Sequence, residues 1–80
     1  MKARVTVTLK NGVLDPQGKA IEGALKALGI DGIKSVRQGK VFDIEMSTKD
    51  EFKAAEALRQ AGEKLLANTV IENFKVDIVD

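Results

Sequence analysis

The sequence predicts an α+β protein, a two-layer βαββαβ sandwich with an antiparallel sheet and both helices on one face. Three observations predict it. Two segments, near the start and the end, alternate apolar and polar residues with period two. Two longer segments repeat apolar residues at helical spacing. Between the helices, two short strand-like runs flank Gln38-Gly39, a spacing that suits a tight hairpin.

In chain order, residues 3–10 read Ala-Arg-Val-Thr-Val-Thr-Leu-Lys, a half-buried strand closed by Asn11-Gly12. Asp15-Pro16 starts a helix, with Asp as N-cap and Pro in the first turn. Ile21, Ala24, Leu25 and Leu28 form its stripe, and Gly29 is a suitable C′ residue. Gly23 inside this helix suggests a close approach by another backbone. Residues 33–37 and 41–46 then pair across Gln38-Gly39, with Arg37 opposite Lys40, Val36 opposite Val41, Ser35 opposite Phe42, Lys34 opposite Asp43 and Ile33 opposite Ile44.

Thr48-Lys49-Asp50-Glu51 reads as a capping box. Phe52, Ala55, Leu58 (with Ala61 and Gly62) and Leu65 give the second helix its expected core stripe, so all three phenylalanines fall on core faces. Asn68 ends the helix in the left-handed conformation. Phe74, Val76 and Ile78 alternate in the last strand. Two right-handed crossovers place both helices on one face of a four-stranded sheet, a ferredoxin-like arrangement of a single domain over residues 1–80. The opposite sheet face carries Thr6, Thr8, Val36, Val41 and Val79, and is expected to be a homo-oligomer interface. Eighty residues make a thin core, for which oligomerisation is the remaining staple when disulfides and metal are absent.

Composition excludes much chemistry. The chain has no His and no Cys. Thiol and imidazole nucleophiles, the Ser-His-Asp triad and the usual zinc sites are therefore ruled out. No apolar run approaches the length of a membrane span, and the N-terminal alternation is not a signal peptide, so a cytoplasmic protein with no membrane partner is expected. The net charge of +1 divides into +5 over residues 1–40 and −4 over residues 41–80, which reads either as a basic binding face or as halves that a compact fold interleaves.

Gly12, Gly18 and Gly23 fit no phosphate-loop pattern. Asp43, Glu45, Asp50 and Glu51 read as solvated or capping residues rather than acid–base pairs. The RNA-recognition module shares the topology, but its third-strand aromatics are missing, so no nucleic-acid partner is expected. Residues 11–18 form a long first loop. Small-molecule-sensing ACT-type modules bind ligands at that place, so the loop reads either as a ligand or partner loop or as a plain connection.

Three stretches carry a specific resemblance. They are Thr8-Leu9-Lys10 with Val13-Leu14-Asp15-Pro16-Gln17-Gly18, then residues 36–40 (Val-Arg-Gln-Gly-Lys), then residues 63–72 (Glu-Lys-Leu-Leu-Ala-Asn-Thr-Val-Ile-Glu). Together they resemble PurS, the small-subunit family of bacterial and archaeal phosphoribosylformylglycinamidine synthase. The resemblance implies a non-catalytic assembly subunit in de novo purine synthesis, homodimeric or homotetrameric. Its partners would be a PurL-type synthetase subunit, which uses ATP and Mg²⁺, and a PurQ-type glutaminase subunit that supplies ammonia. No cofactor is expected on this chain. Partner contacts are expected from signature residues without core duty: Asp15, Pro16, Gln17 and Gly18 in the first loop, Arg37, Gly39 and Lys40 at the hairpin tip, and Asn68 and Thr69 after the second helix. The like charges of Arg37 and Lys40 suggest an acidic patch or a phosphate on a partner.

Overall fold

In the computed structural model the described residues are 1–79; Asp80, the last residue of the expected domain, lies outside them. The element order is β1 (Lys2–Leu9), α1 (Pro16–Ala27), β2 (Gly39–Glu45), α2 (Glu51–Ala61) and β3 (Glu72–Ile78), with a π-helical turn at Gly62–Leu66. The α+β class and the antiparallel sheet follow the sequence. The sheet has the order β2-β1-β3, three strands among the described residues.

β1 is central, and its strict alternation now has a cause. Ala3, Val5 and Val7 are buried, each against partners on both sides: Val5 faces Phe42 of β2 and Val76 of β3. The opposite face is polar, with Arg4 between Asp43 and Asp77 and Thr6 between Val41 and Lys75. Leu58 and Ala67 close the core from above, with Ala54 buried beside them on α2.

The expected hairpin does not form. β2 begins at Gly39, and residues 30–38 join no ladder. Two local demands undo the turn. The backbone N–H of Gln38 donates to the Asp15 carboxylate, and Gly39 is drawn into the ladder opposite Thr8. A Cβ on Gly39 would sit 2.7 Å from the Val7 carbonyl, so only glycine fits that approach. Val41 consequently pairs with Thr6, not with Val36.

The first helix ends as expected. Leu28 is the C-cap and Gly29 has φ +80°. Gly29 N–H donates to Lys26 and Ile30 N–H to Leu25, a Schellman motif. The helix makes no substantial contact with any strand, however. Of its residues only Gly18 is buried, while Leu28 is 75% exposed. Gly23 has no other atom group within 4 Å of a Cβ position, so no backbone approaches it. α1 and the returning chain form an arm: residues 30–34 run beside Lys19, Glu22 and Lys26. The radius of gyration is 15.9 Å, against about 12 Å for a compact chain of this length, and the extents are 48 × 27 × 15 Å.

The second helix is capped two residues later than expected. Asp50 accepts the N–H groups of Phe52 and Lys53, while Thr48 accepts the Asp50 N–H. Its core stripe is Ala54, Leu58 and Gly62, so the expected stripe is turned: Phe52 is 89% exposed and Leu65 81%. The π-helical turn shows why. The Phe74 ring packs where a Gly62 Cβ would be, and Ala67 N–H reaches back five residues to Gly62. No non-glycine residue has positive φ among the described residues, so Asn68 is not a left-handed cap; Ala67 is extended instead.

Candidate functional site

The three signature stretches meet at one end of the sheet. The chain leaves β1 through a turn closed by Val13 N–H on the Lys10 carbonyl at 3.2 Å, with Gly12 at φ +85°. That φ at the third turn position requires a glycine. Lys10 N–H donates to Ile71 at 2.8 Å, tying the turn to the stretch before β3.

Asp15 then does two things. As N-cap, its Oδ1 accepts the Gly18 N–H at 2.9 Å. Its Oδ2 accepts the Gln38 N–H at 2.7 Å, across 23 residues. The side chain is buried, with 5% of the residue exposed. Those two N–H groups, Gln38 first, hold its carboxyl below the usual carboxylate range, against the opposing effect of burial. Gly18 sits under the Val36 carbonyl, and a Cβ there would collide with it and with the Asp15 carboxylate. Glu22, one turn on, accepts the Val36 N–H at 2.9 Å.

Arg37 locks the same junction from outside. Its guanidinium donates to the carbonyls of Val13 at 2.9 Å and Lys10 at 3.1 Å. Lys40 pairs with Glu72 at 3.7 Å. Arg37 and Lys40 therefore do not oppose each other across a hairpin tip, and each has an intramolecular acceptor. Glu72 also accepts the Asn68 N–H at 2.7 Å, and the Asn68 side chain accepts the Val70 N–H at 3.2 Å. Thr69 lies in the exposed turn between them.

These clamps frame an open groove of about 530 Å³, lined by Leu9, Leu14, Pro16, Gln17, Lys40 and Ile71 among others. Leu14 is 71% exposed beside it, and Pro16 and Gln17 also face out. Of the signature residues, Asp15, Gly18, Arg37 and Gly39 build the scaffold; Pro16, Gln17 and Lys40 face the groove. The sequence reading missed Glu22 and Glu72, whose acceptors matter only once distant N–H groups are brought to them. Glu72 closes the third signature stretch, which was the available signal.

The expected oligomer face is partly assembled. Thr6, Thr8 and Val41 share the sheet face away from α2, and Val79 follows β3 on the same side by alternation. Val36 lies in the arm instead, half-buried against Glu22. Among the described residues no group of His, Cys, Asp and Glu could hold a metal ion. No helix is long and apolar enough to cross a membrane. The arrangement is one of shape and fixed backbone, suited to binding.

The PurS family model, phosphoribosylformylglycinamidine (FGAM) synthase, matches residues 2–80. The chain is 48% identical over 75 residues to the Mycobacterium leprae subunit PurS of that synthase, covering 94% of this chain and 91% of the relative. It is 44% identical over 75 residues to the Synechocystis subunit PurS, covering 94% and 75%. Its structure is similar to Bacillus subtilis PurS, with a TM-score of 0.86 at 37% identity over 99% and 98% of the two chains. It is also similar to a chain of the Thermotoga maritima PurLQS structure, with a TM-score of 0.89 at 32% identity over 98% and 95%. With the signature stretches folded into one site and the match running through both layers, the chain belongs to the PurS family of phosphoribosylformylglycinamidine synthase subunits.

Proposed function

We propose that this chain is the non-catalytic assembly subunit of a phosphoribosylformylglycinamidine synthase in cytoplasmic purine biosynthesis, bridging a PurL-type synthetase and a PurQ-type glutaminase. The observation that carries the reading is the match, over nearly the whole chain, to a subunit of the Thermotoga maritima PurLQS assembly. The chemistry agrees with it: a sequence with no His and no Cys, and a site whose carboxylates are engaged by backbone N–H groups or lysine, binds rather than reacts.

The complex must move ammonia from the glutaminase to an activated amide oxygen, with ATP and Mg²⁺ acting on the synthetase. Ammonia is lost if it is protonated or diffuses away, so the subunits between the two sites serve by excluding water. Pro16, Gln17 and Lys40 at the groove, with Asn68 and Thr69 beside it, are the surface offered to a partner. Their rigid support is the Asp15–Gly18–Gln38 clamp.

Self-association belongs to the same reading. Among the described residues only Ala3, Val5, Val7, Ala54, Leu58 and Ala67 form the buried apolar core, whereas Leu14, Leu28, Phe52, Leu65 and Val70 are each more than 70% exposed. Apolar exposure on that scale marks interaction surfaces. A homodimer or homotetramer covers part of it.

The test is glutamine-dependent formation of formylglycinamidine ribonucleotide by the matching synthetase and glutaminase, with and without this protein, beside an ammonium-driven control. Glutamine-driven turnover that needs the protein, with ammonium-driven turnover independent of it, is the expected result. No change on adding the protein overturns the assembly reading.

A further inference from the structure

Asn11 and Gly12 fill the two central positions of the turn that leaves β1, closed by Val13 N–H on the Lys10 carbonyl at 3.2 Å. Gly12 has φ +85°, and no non-glycine residue has positive φ among the described residues, so φ of Asn11 is negative. That pair of signs defines a type II turn, which demands glycine at its third position. The demand brings a chemical liability. A glycine after asparagine leaves its amide nitrogen unshielded by a side chain, and that nitrogen can attack the asparagine amide carbon. Nothing else engages the two groups here. Both residues are exposed, and among the described residues neither the Asn11 side chain nor the Gly12 N–H has a hydrogen-bond partner.

The turn itself stands in the way. Closing a succinimide ring needs the Gly12 nitrogen to swing to the side of the Asn11 Cα–C bond on which Cβ lies. Type II geometry sets ψ of the second turn residue at about +120°, which turns that nitrogen away from Cβ. Ring closure therefore waits for the turn to open. Opening is opposed at both ends. The Arg37 guanidinium bridges the carbonyls of Lys10 at 3.1 Å and Val13 at 2.9 Å, and Lys10 N–H is held by Ile71 at 2.8 Å. A planar fork that spans both ends of one turn resists the rotation more than either bond does alone.

The geometry points to Asn11 as a latent self-modification site, which loses ammonia to become aspartate or isoaspartate when the turn opens, at a rate set by the Arg37 bridge. The Gly12 amide gives its proton to hydroxide, and its nitrogen bonds Asn11 Cγ. The Cγ–Nδ2 bond breaks, and that nitrogen leaves as ammonia with a proton from water. Water then adds to one of the two ring carbonyls and the carbon–nitrogen bond there breaks. One direction of opening gives aspartate; the other gives isoaspartate, with an extra methylene in the backbone. Neither step oxidises or reduces anything. Both products put a carboxylate inside the stretch that Arg37 bridges, where it competes with the two carbonyls for the guanidinium. Modification thus loosens the turn that leads into Leu14, Pro16 and Gln17 at the groove.

The full-length protein, folded and in guanidinium chloride, is incubated at mildly alkaline pH, with R37K and R37A beside it and their folding checked by circular dichroism. Mass spectrometry with fragmentation locates the amide-to-acid change, and chromatography against synthetic standards separates isoaspartate from aspartate. Asn68 and Asn73 are internal references, because the side chains of Thr69 and Phe74 shield the following nitrogen. The change is expected at Asn11 alone, at least about tenfold slower in the folded than in the unfolded parent. Folded R37K is expected to react about two- to fivefold faster than the folded parent, the factor that weakening the two bonds of the fork implies. R37K keeps the cation, so its acceleration does not come from lost charge, and R37A repeats the comparison should R37K not fold. Equal rates in the folded and unfolded parent overturn protection by the turn, whether or not the variants fold. A folded R37K no faster than the parent, or an R37A slower than it, overturns the role of the bridge. Reaction at Asn68 or Asn73 as fast as at Asn11 overturns the site.

Discussion

The Asp15 carboxylate accepts the backbone N–H of Gln38 at 2.7 Å while its other oxygen caps the first helix at Gly18. One buried side chain thus joins the start of α1 to the start of β2. Replacing it by asparagine keeps one acceptor and turns the amide N–H₂ group toward one of two N–H groups. Replacing it by alanine removes both acceptors and leaves the buried Gly18 N–H and the part-buried Gln38 N–H without one. Asp15→Ala is expected to lower the unfolding midpoint well below that of Asp15→Asn, which itself falls below the parent; thermal melts of the three proteins check the order.

Gly18 is held by the same junction. An alanine Cβ would overlap the Val36 carbonyl and the Asp15 carboxylate, neither of which is the free end of a flexible chain. Gly18→Ala should therefore destabilise by roughly 1–3 kcal/mol despite the better helix propensity of alanine. The control is Gly23→Ala, on the open side of the same helix. There the propensity gain acts alone, and stability should rise by up to about 1 kcal/mol. Urea denaturation of both variants distinguishes packing from propensity.

Arg37 donates to two carbonyls of the first turn, at Lys10 and Val13. The fork is planar and fixed, so lysine does not replace it. Arg37→Lys and Arg37→Ala should each cost roughly 0.5–1 kcal/mol and raise hydrogen exchange at Val13 and Gly18 more than in β1. Equal protection at Val13 and Gly18 in the parent and both variants would show that the guanidinium does not hold the junction.

The contrast between β1 and the 33–46 region marks how far the sequence is legible. β1 is the central strand, so one face is buried along its whole length and alternation alone identifies it. Pro16 and Gly29 mark the ends of α1 through local backbone chemistry, and both lie where the spacing places them. The 33–37 run has the same local signature as a strand, but whether Gln38-Gly39 turns depends on Asp15, more than twenty residues earlier, taking the Gln38 N–H. Phe52 was misplaced for a related reason: a helix with apolar residues on two sides offers two stripes, and only the Phe74 ring against Gly62 selects the one that faces the sheet. The signature stretches contain the residues of this junction; Asp15 capping α1 is readable in the sequence, and its second bond is not. Phe52→Ser accordingly leaves the unfolding free energy within about 0.5 kcal/mol of the parent, because the side chain is 89% exposed.

Among the described residues two carboxyls, Asp15 and Glu56, are held below their ordinary range, and they should respond differently to salt. Glu56 is drawn down to about 2, chiefly by its hydrogen bond from Arg59, which also pairs with Glu63 at 2.7 Å. This network is on the surface, with Glu56 and Arg59 about half exposed. Asp15 is buried and lowered by backbone N–H groups. For either group the folded value lies below the unfolded one. The stabilisation is therefore fully present above the ordinary carboxylate range and is lost as pH falls through the folded value. Screening by salt weakens exposed ion pairs but hardly touches a buried hydrogen bond. Titration followed by carboxyl NMR should thus show Glu56 moving up toward about 4 in 1 M NaCl and in Arg59→Ala, while Asp15 stays low in both. If Asp15 rises with salt as far as Glu56 does, charge on Arg37 rather than the Gln38 and Gly18 N–H groups holds it down, and the junction is an ion pair in disguise.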